Sequence, residues 1–306
     1  MNLFLLIFGL VLLILGAEII IRGSIGFGKK FRVSLFAIGV VIVAGGTSLP
    51  ELASSINAVV SNHPDLAVGA VIGSNIANLI LVMAATSFLI PISKINQNQI
   101  NQAWINIGLA VILITMSYLI IPFNFVFGIL SIGLLFFIMY IQVKQGSLDV
   151  SDVEEKGDYS LILSIIFIVL GIILLIYGSD LFVDSAINIA TQLNIPEAII
   201  GISLVAFGTS LPELVVGILS AIRRKVDFAL GNVLGSNIYN VLGVLGVSSF
   251  FGNFSIPRVI GSVDLFFMLF VTVMILGFMI LFKRIGRTYG TIGLILYVGY
   301  IFYVFN

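Results

Sequence analysis

The chain has no cysteine, one histidine and one tryptophan, and only 9% of its 306 residues are charged. Without cysteine there is no disulfide, no thiolate metal site and no thiol nucleophile. A single imidazole, His63, excludes any site that needs two. Fourteen basic residues against fourteen acidic ones leave no net charge, which removes a basic nucleic-acid-binding face. A soluble domain carries about 25% charged residues. Here 60% of residues are hydrophobic and the mean hydropathy is +1.23, so the solvent that such a chain requires is lipid.

A helix that crosses a hydrocarbon core of roughly 30 Å needs about 20 apolar residues. Apolar runs bounded by Gly, Pro, Asn or charge occur at 2–22, 33–61, 65–91, 99–121, 123–143, 159–183, 195–222, 227–251, 258–282 and 288–305. They predict an all-α polytopic membrane protein of ten transmembrane helices, with no room for a separate soluble domain. Their length and continuity oppose the short alternating strands of a barrel. The first run is not expected to be a secretory leader, because no basic residue precedes it and its sequence recurs inside the chain.

Ten spans place the connections alternately on two sides. Arg22, Lys29, Lys30, Arg32, Lys94, Lys144, Lys156, Arg223, Arg224, Lys225, Lys283, Arg284 and Arg287 then fall on one side, and Arg258 alone on the other. Such an excess marks the cytoplasmic face, so both termini are expected outside the cell, with the chain in the plasma membrane. The longest polar stretch, 144–158, contains Asp149, Asp152, Glu154, Glu155 and Asp158. It lacks the ligand spacing of an EF-hand loop and reads as a solvated cytoplasmic linker, with a weak regulatory cation site as the alternative.

Compared with itself at an offset of 162, the chain aligns 16–80 with 178–242 without a gap, with about 23 identities in 65 positions. GGTSLPEL at 45–52 recurs as FGTSLPEL at 207–214, and VIGSNIAN at 71–78 as VLGSNIYN at 233–240. This divides the chain into five-helix halves, 1–143 and 159–306. Five is odd, so the second half enters the membrane from the opposite side. Inverted repeats of this kind mark transporters, whose site lies near the midplane where interrupted helices meet. Repeated glycines such as Gly16, Gly39, Gly178 and Gly201 are expected to serve close helix packing.

Packing does not account for a repeated carboxylate. Glu51 and Glu213 each lie deep in a span, where an ionisable group is costly unless it faces protein, water or a counter-charge. No basic residue lies at comparable depth, so the natural counter-charge is a cation from solution. A protonated glutamate bonded to a neighbouring helix is the structural alternative. Pro50 and Pro212 lack an N–H and free backbone oxygens near Gly46 and Gly208. Gly45, Gly46 and Gly208 let the backbone unwind there, which predicts a polar cavity. Thr47, Ser48, Thr209 and Ser210 add hydroxyls. Ser74 and Asn78, and likewise Ser236 and Asn240, share a helix face four residues apart. Asn75 and Asn237 point elsewhere, toward capping, interhelical bonding or coordination. His63, in an Asn-His-Pro-Asp turn, is expected to be a surface residue. Two carboxylates with neutral oxygens suit a hard cation such as Ca²⁺ or several Na⁺ ions rather than a transition metal.

At these motifs the sequence resembles the cation/Ca²⁺ exchanger superfamily, in particular its prokaryotic Na⁺/Ca²⁺ exchangers. GTSLPE at 46–51 and 208–213, with GSN at 73–75 and 235–237, is similar to its paired inverted repeats. The resemblance implies a Na⁺/Ca²⁺ antiporter, not an enzyme, with no cofactor and with Ca²⁺ and Na⁺ as substrates. It implies Glu51 and Glu213 as shared ligands, and Thr47, Ser48, Thr209, Ser210, Ser74, Ser236 and Asn78 at flanking Na⁺ positions with the carbonyls of Ala44 and Ala206. It also implies alternating access, the first and sixth helices sliding over the other eight. Asn240 departs from the aspartate of many archaeal and K⁺-dependent relatives, so independence of K⁺ is expected. The H⁺/Ca²⁺ branch usually carries a further carboxylate and histidine that are missing here; it remains the alternative, ahead of a passive cation channel. No aspartate pair or serine–histidine couple in the spans suggests an intramembrane protease. A monomer in the lipid bilayer is expected.

Overall fold

The computed structural model describes residues 2–146, 159–193 and 206–305. The helices are α1 (Asn2–Phe31), α2 (Leu35–Thr47), α3 (Leu49–Val60), α4 (Pro64–Leu89), α5 (Gln97–Tyr118), α6 (Phe125–Gln145) and α7 (Leu161–Gln192). They continue as α8 (Ala206–Thr209), α9 (Leu211–Ile222), α10 (Val226–Ser248), α11 (Arg258–Ser262), α12 (Asp264–Leu281) and α13 (Arg287–Phe305). Among the described residues seven helices are long and apolar enough to cross a membrane, or eight when α2 and α3, bent by 42°, count as one span. Residues 147–158 of the expected linker and 195–205 of the expected seventh run lie outside the described residues, as does Gly201.

Side chains that can satisfy free backbone N–H groups set where helices start. Ser34 accepts from Ala37 N, Asn124 from Phe127 N and Ser160 from Leu163 N. Asn96 and Gln99 form a reciprocal capping box. Helix ends recur at the repeat spacing. Asn62 (φ 61°) and Arg224 (φ 57°), 162 apart, are left-handed, and the next amides, His63 N and Lys225 N, reach back to Ala58 O and Ser220 O. The exposed His63 is a turn residue. Two short β pairings join distant loops: Ile92–Ser93 (β1) with Arg284–Ile285 (β2), and Phe123 with Phe254.

In lipid an apolar side chain gains little by leaving its solvent, so helices associate through close packing over small residues. Gly9, Gly16 and Gly23 of α1 lie against the backbone near Gly178, Gly171 and Ser164 of α7, an antiparallel pair. A Cβ on Gly16 would stand 2.9 Å from the Gly171 carbonyl, so the packing role expected of Gly16 and Gly178 is what they perform. At one end the pair is tied to the rest of the protein by Glu18, which bonds Arg22 on α1 at 2.7 Å and Arg223 at the end of α9 at 2.9 Å. Among the seven candidate spans α10 and α4 are the best buried, with 89% and 72% of an apolar 18-residue stretch buried, against 33% for α1 and 28% for α7.

Three helices widen into π turns, Gly39–Val43 in α2, Asn78–Met83 in α4 and Tyr239–Val244 in α10. Such turns disturb the regular carbonyl pairing. Two tyrosines donate to carbonyls within them, Tyr239 to Val41 O at 2.7 Å and Tyr289 to Leu79 O at 2.9 Å.

The contact between α2 and α10 is close enough to test. A Cβ on Gly231 would overlap the Phe36 carbonyl, and one on Gly39 would lie 2.6 Å from the Phe228 carbonyl. Gly231→Ala is expected to destabilise the protein by about 1–3 kcal/mol through overpacking, read as a lower melting temperature in detergent. Gly133→Ala, whose new Cβ meets nothing within 4 Å, should melt like the wild type. Equal melting of the two variants would mean that α2 and α10 do not need this approach.

Candidate functional site

The two repeated motifs break their helices at the same point. Ser48 (φ −84°, ψ 6°) separates α2 from α3, and Ser210 (φ −86°, ψ 0°) separates α8 from α9. Both serines occupy the sparsely populated bridge region. The expected unwinding at Gly45, Gly46 and Gly208 is therefore displaced by two residues, and the glycines stay helical. Their missing side chains admit neighbours instead. The Tyr239 ring covers Gly45, Ile172 covers Gly46 and Val183 covers Gly208. Of the carbonyls opposite the prolines, Gly208 O accepts from Ser179 Oγ of α7 at 2.7 Å.

After each break, Pro50 and Pro212 occupy the second helical position and the glutamates the third. The unpaired N–H groups of a helix start favour negative charge. Glu51 is 1% exposed and Glu213 is 0% exposed. Neither takes part in a salt bridge among the described residues, and Oε2 of each is buried without a hydrogen-bond partner. Each glutamate lies beside the threonine of the other motif, Glu51 beside Thr209 and Glu213 beside Thr47, and the two carboxylates are close enough to interact.

From α10, Ser236 Oγ donates to Glu213 Oε1 at 3.4 Å and lies 3.4 Å from Thr47 Oγ1. Thr47 Oγ1 also donates to Ala44 O at 3.3 Å, and Ala44 O accepts from Ser48 N at 3.0 Å, so that carbonyl already has two partners. Ser74, Asn78 and Asn240 are buried, and Oδ1 of Asn78 and of Asn240 has no partner. The hydroxyls of Ser48 and Ser210 are buried without partners as well. Ala206 is the first residue of α8. Asn75 and Asn237 bond across α4 and α10, which decides between the alternatives left open for them. Two surface cavities, about 320 Å³ around Arg284 and Arg287 and about 280 Å³ around Arg258, are lined by none of these residues.

Two participants escaped the sequence reading. Asn232 is fully buried, and its Oδ1 lies 3.3 Å from Thr47 Oγ1. It stands one turn before Ser236 and two before Asn240 on one face of α10, a spacing visible in the sequence, but Ala70 at the matching position of the first motif hid it from repeat comparison. Ser179 likewise matches Ala17 and left no repeated signal.

These surroundings suit a cation. Unpaired buried carboxylates cost several kcal/mol each. Buried oxygens of Ser48, Glu51, Asn78, Ser210, Glu213 and Asn240 lack protein partners, as do eight other buried polar side-chain atoms, and oxygens of this kind are the ligands that a hard cation takes. No group of three or more His, Asp or Glu side chains that could hold a metal ion occurs among the described residues, so a cation held here would take its remaining ligands from neutral oxygens.

Residues 1–144 and 163–306 match a family model described as sodium/calcium exchanger protein. An uncharacterized membrane protein of Methanocaldococcus jannaschii is 35% identical over 292 residues, 95% of this chain and 93% of its own. The sodium/calcium exchanger MaX1 of Methanosarcina acetivorans is 30% identical, with 99% and 98% of the two chains covered. The solved structure of the sodium-calcium exchanger NCX_Mj superposes with a TM-score of 0.85 at 32% identity, over 97% of this chain and 96% of that one.

If the carboxylates are held at an energetic cost and do not support the fold, Glu51→Gln and Glu213→Gln should melt at or above the wild-type temperature in chelator, because an amide keeps the shape and removes the buried charge. A much lower melting temperature of either variant in cation-free buffer would mark that carboxylate as structural.

Proposed function

The chain belongs to the sodium/calcium exchanger family, and from that premise we propose that it is a secondary antiporter moving Ca²⁺ against Na⁺ across the cell membrane. The observation that carries this reading is the set of buried, unpartnered oxygens around two carboxylates that no basic side chain neutralises. Glu51 and Glu213 hold Ca²⁺ or Na⁺ in turn. Thr47, Ser48, Thr209, Ser210, Ser74, Ser236, Asn78 and Asn240 supply neutral oxygens, with the carbonyls of Ala44 and Ala206. Two carboxylates balance one Ca²⁺, which takes six to eight oxygens in flexible geometry. Na⁺ ions loaded on the same oxygens exclude it, and mutual exclusion at one site is what couples the two fluxes.

In this reading ten spans form two inverted halves, 1–143 and 159–306, joined by the cytoplasmic linker 144–158. Support comes from the sequence repeat, from the left-handed helix stops at Asn62 and Arg224, and from the β pairings, in which 92 corresponds to 254 and 123 to 285 at the repeat spacing. The basic residues then face the cytoplasm and both termini face outside. The α1–α7 pair, held together by its own glycines and largely open to lipid, is the unit that slides to expose the site to either side. Each chain carries a full ligand set, so a monomer suffices. With Asn78 and Asn240 neutral, the site holds two formal charges rather than three and needs neither K⁺ nor a proton to balance Ca²⁺.

In reconstituted vesicles, uptake of radiolabelled Ca²⁺ is expected only with an outward Na⁺ gradient. Glu51→Gln and Glu213→Gln should each abolish it in folded protein. Uptake driven by a proton gradient alone would identify an H⁺/Ca²⁺ antiporter, and uptake with no gradient a passive channel. Replacing K⁺ by choline should leave the flux unchanged. Asn240→Asp should make it depend on pH or K⁺, and an unaltered profile in that variant would contradict the charge argument.

A further inference from the structure

Asn75 and Asn237 bond both to each other's backbone and to the side chains of Asn240 and Asn78. Nδ2 of Asn237 donates to the backbone carbonyl of Asn75 at 3.2 Å. A backbone carbonyl only accepts, so the nitrogen end of Asn237 must face it and Oδ1 must face the other way. That Oδ1 accepts from Nδ2 of Asn78 at 3.0 Å. The nitrogen end of Asn78 is thereby used, and its Oδ1 is left buried without a partner. A second chain of bonds runs in the reverse direction. Nδ2 of Asn75 donates to the carbonyl of Asn237 at 3.4 Å, and Oδ1 of Asn75 accepts from Nδ2 of Asn240 at 3.1 Å. Oδ1 of Asn240 is again buried and unpartnered.

The two ends of a carboxamide are nearly alike in shape and opposite in polarity. With the NH₂ end inward, Asn78 and Asn240 would present donors to a cation and repel it. We propose that Asn75 and Asn237 are positioning residues, each of which anchors on an accept-only carbonyl of the other helix and so turns the oxygen of the opposite ligand amide toward the cation. The inference rests on the reading of Asn78 and Asn240 as ligands. Its further consequence is that each half of the site is oriented by the other: Asn237 of α10 sets Asn78 of α4, and Asn75 of α4 sets Asn240 of α10.

The test is Ca²⁺ affinity of the purified full chain, measured by equilibrium binding of radiolabelled Ca²⁺, for single and paired alanine variants. Residues that orient a metal ligand typically change affinity by about 10–100-fold when removed, so Asn75→Ala and Asn237→Ala should each weaken binding by at least about tenfold. Asn75→Ala should add nothing once Asn240→Ala is present, and Asn237→Ala nothing once Asn78→Ala is present, because no amide is left to orient. In the same-helix pairs, Asn75→Ala with Asn78→Ala and Asn237→Ala with Asn240→Ala, the losses should multiply. A general loss of packing would affect all four pairs alike. Where an alanine variant fails to fold, Asn75→Ser or Asn237→Ser breaks the same link. Wild-type affinity in folded Asn75 and Asn237 variants, or losses that multiply in every pair, would overturn the orienting role and leave the site intact. Absence of Ca²⁺ binding by the wild type would overturn the site and the orienting role together.

Discussion

Two carboxylates buried in a lipid-soluble body, with no ion pair to a basic side chain among the described residues, are the constraint on which the rest of the structure depends. Each unpaired ion in a low-dielectric interior carries a penalty of several kcal/mol, and a chain with so few charges has little to spare against it. The penalty is limited rather than abolished. Both glutamates start a helix, where exposed N–H groups favour negative charge, and each lies beside a threonine of the other motif. Breaking α2 from α3 and α8 from α9 at Ser48 and Ser210 is what brings those helix starts to this depth. In the proposed antiporter, what remains uncompensated is what a bound cation would relieve.

The packing around the candidate site is of two kinds. Around α4 and α10, the Tyr239 and Tyr289 hydroxyls reach carbonyls inside π turns, and asparagine bonds join the helices, so that groups lipid could not satisfy have partners. The α1–α7 pair is built differently, from glycine-on-backbone contacts. It touches the site region through Ile172 on Gly46 and Val183 on Gly208, apolar side chains on smooth glycine surfaces, and through one hydroxyl, that of Ser179. A further directional tie of the pair to the rest of the protein is the Glu18–Arg223 ion pair.

Much of this was legible in the sequence because the chain states its site twice. The depth of Glu51 and Glu213, the prolines beside them and the i, i+4 pairs of Ser and Asn all follow from spacing along one helix. Spacing does not tell which residue of a Gly-Gly-Thr-Ser-Leu-Pro run absorbs the break. Proline frees a carbonyl four residues back, but the bend lies at Ser48, and Gly45 and Gly46 stay helical with Tyr239 and Ile172 packed on them. Asn232 and Ser179 were hidden for the opposite reason, since their counterparts, Ala70 and Ala17, have no polar atom to repeat. The orientation of the asparagine amides depends on contacts between helices far apart in sequence, and no local pattern carries that.

The central claim is that the missing positive charge beside Glu51 and Glu213 is a transported cation, and equilibrium binding of radiolabelled Ca²⁺ to the purified chain during Na⁺ titration tests it most directly. The expected result is one Ca²⁺ bound per chain, fully displaced by Na⁺ and absent from Glu51→Gln and Glu213→Gln. Ca²⁺ that stays bound at saturating Na⁺, or that binds equally well to the two glutamine variants, would contradict it.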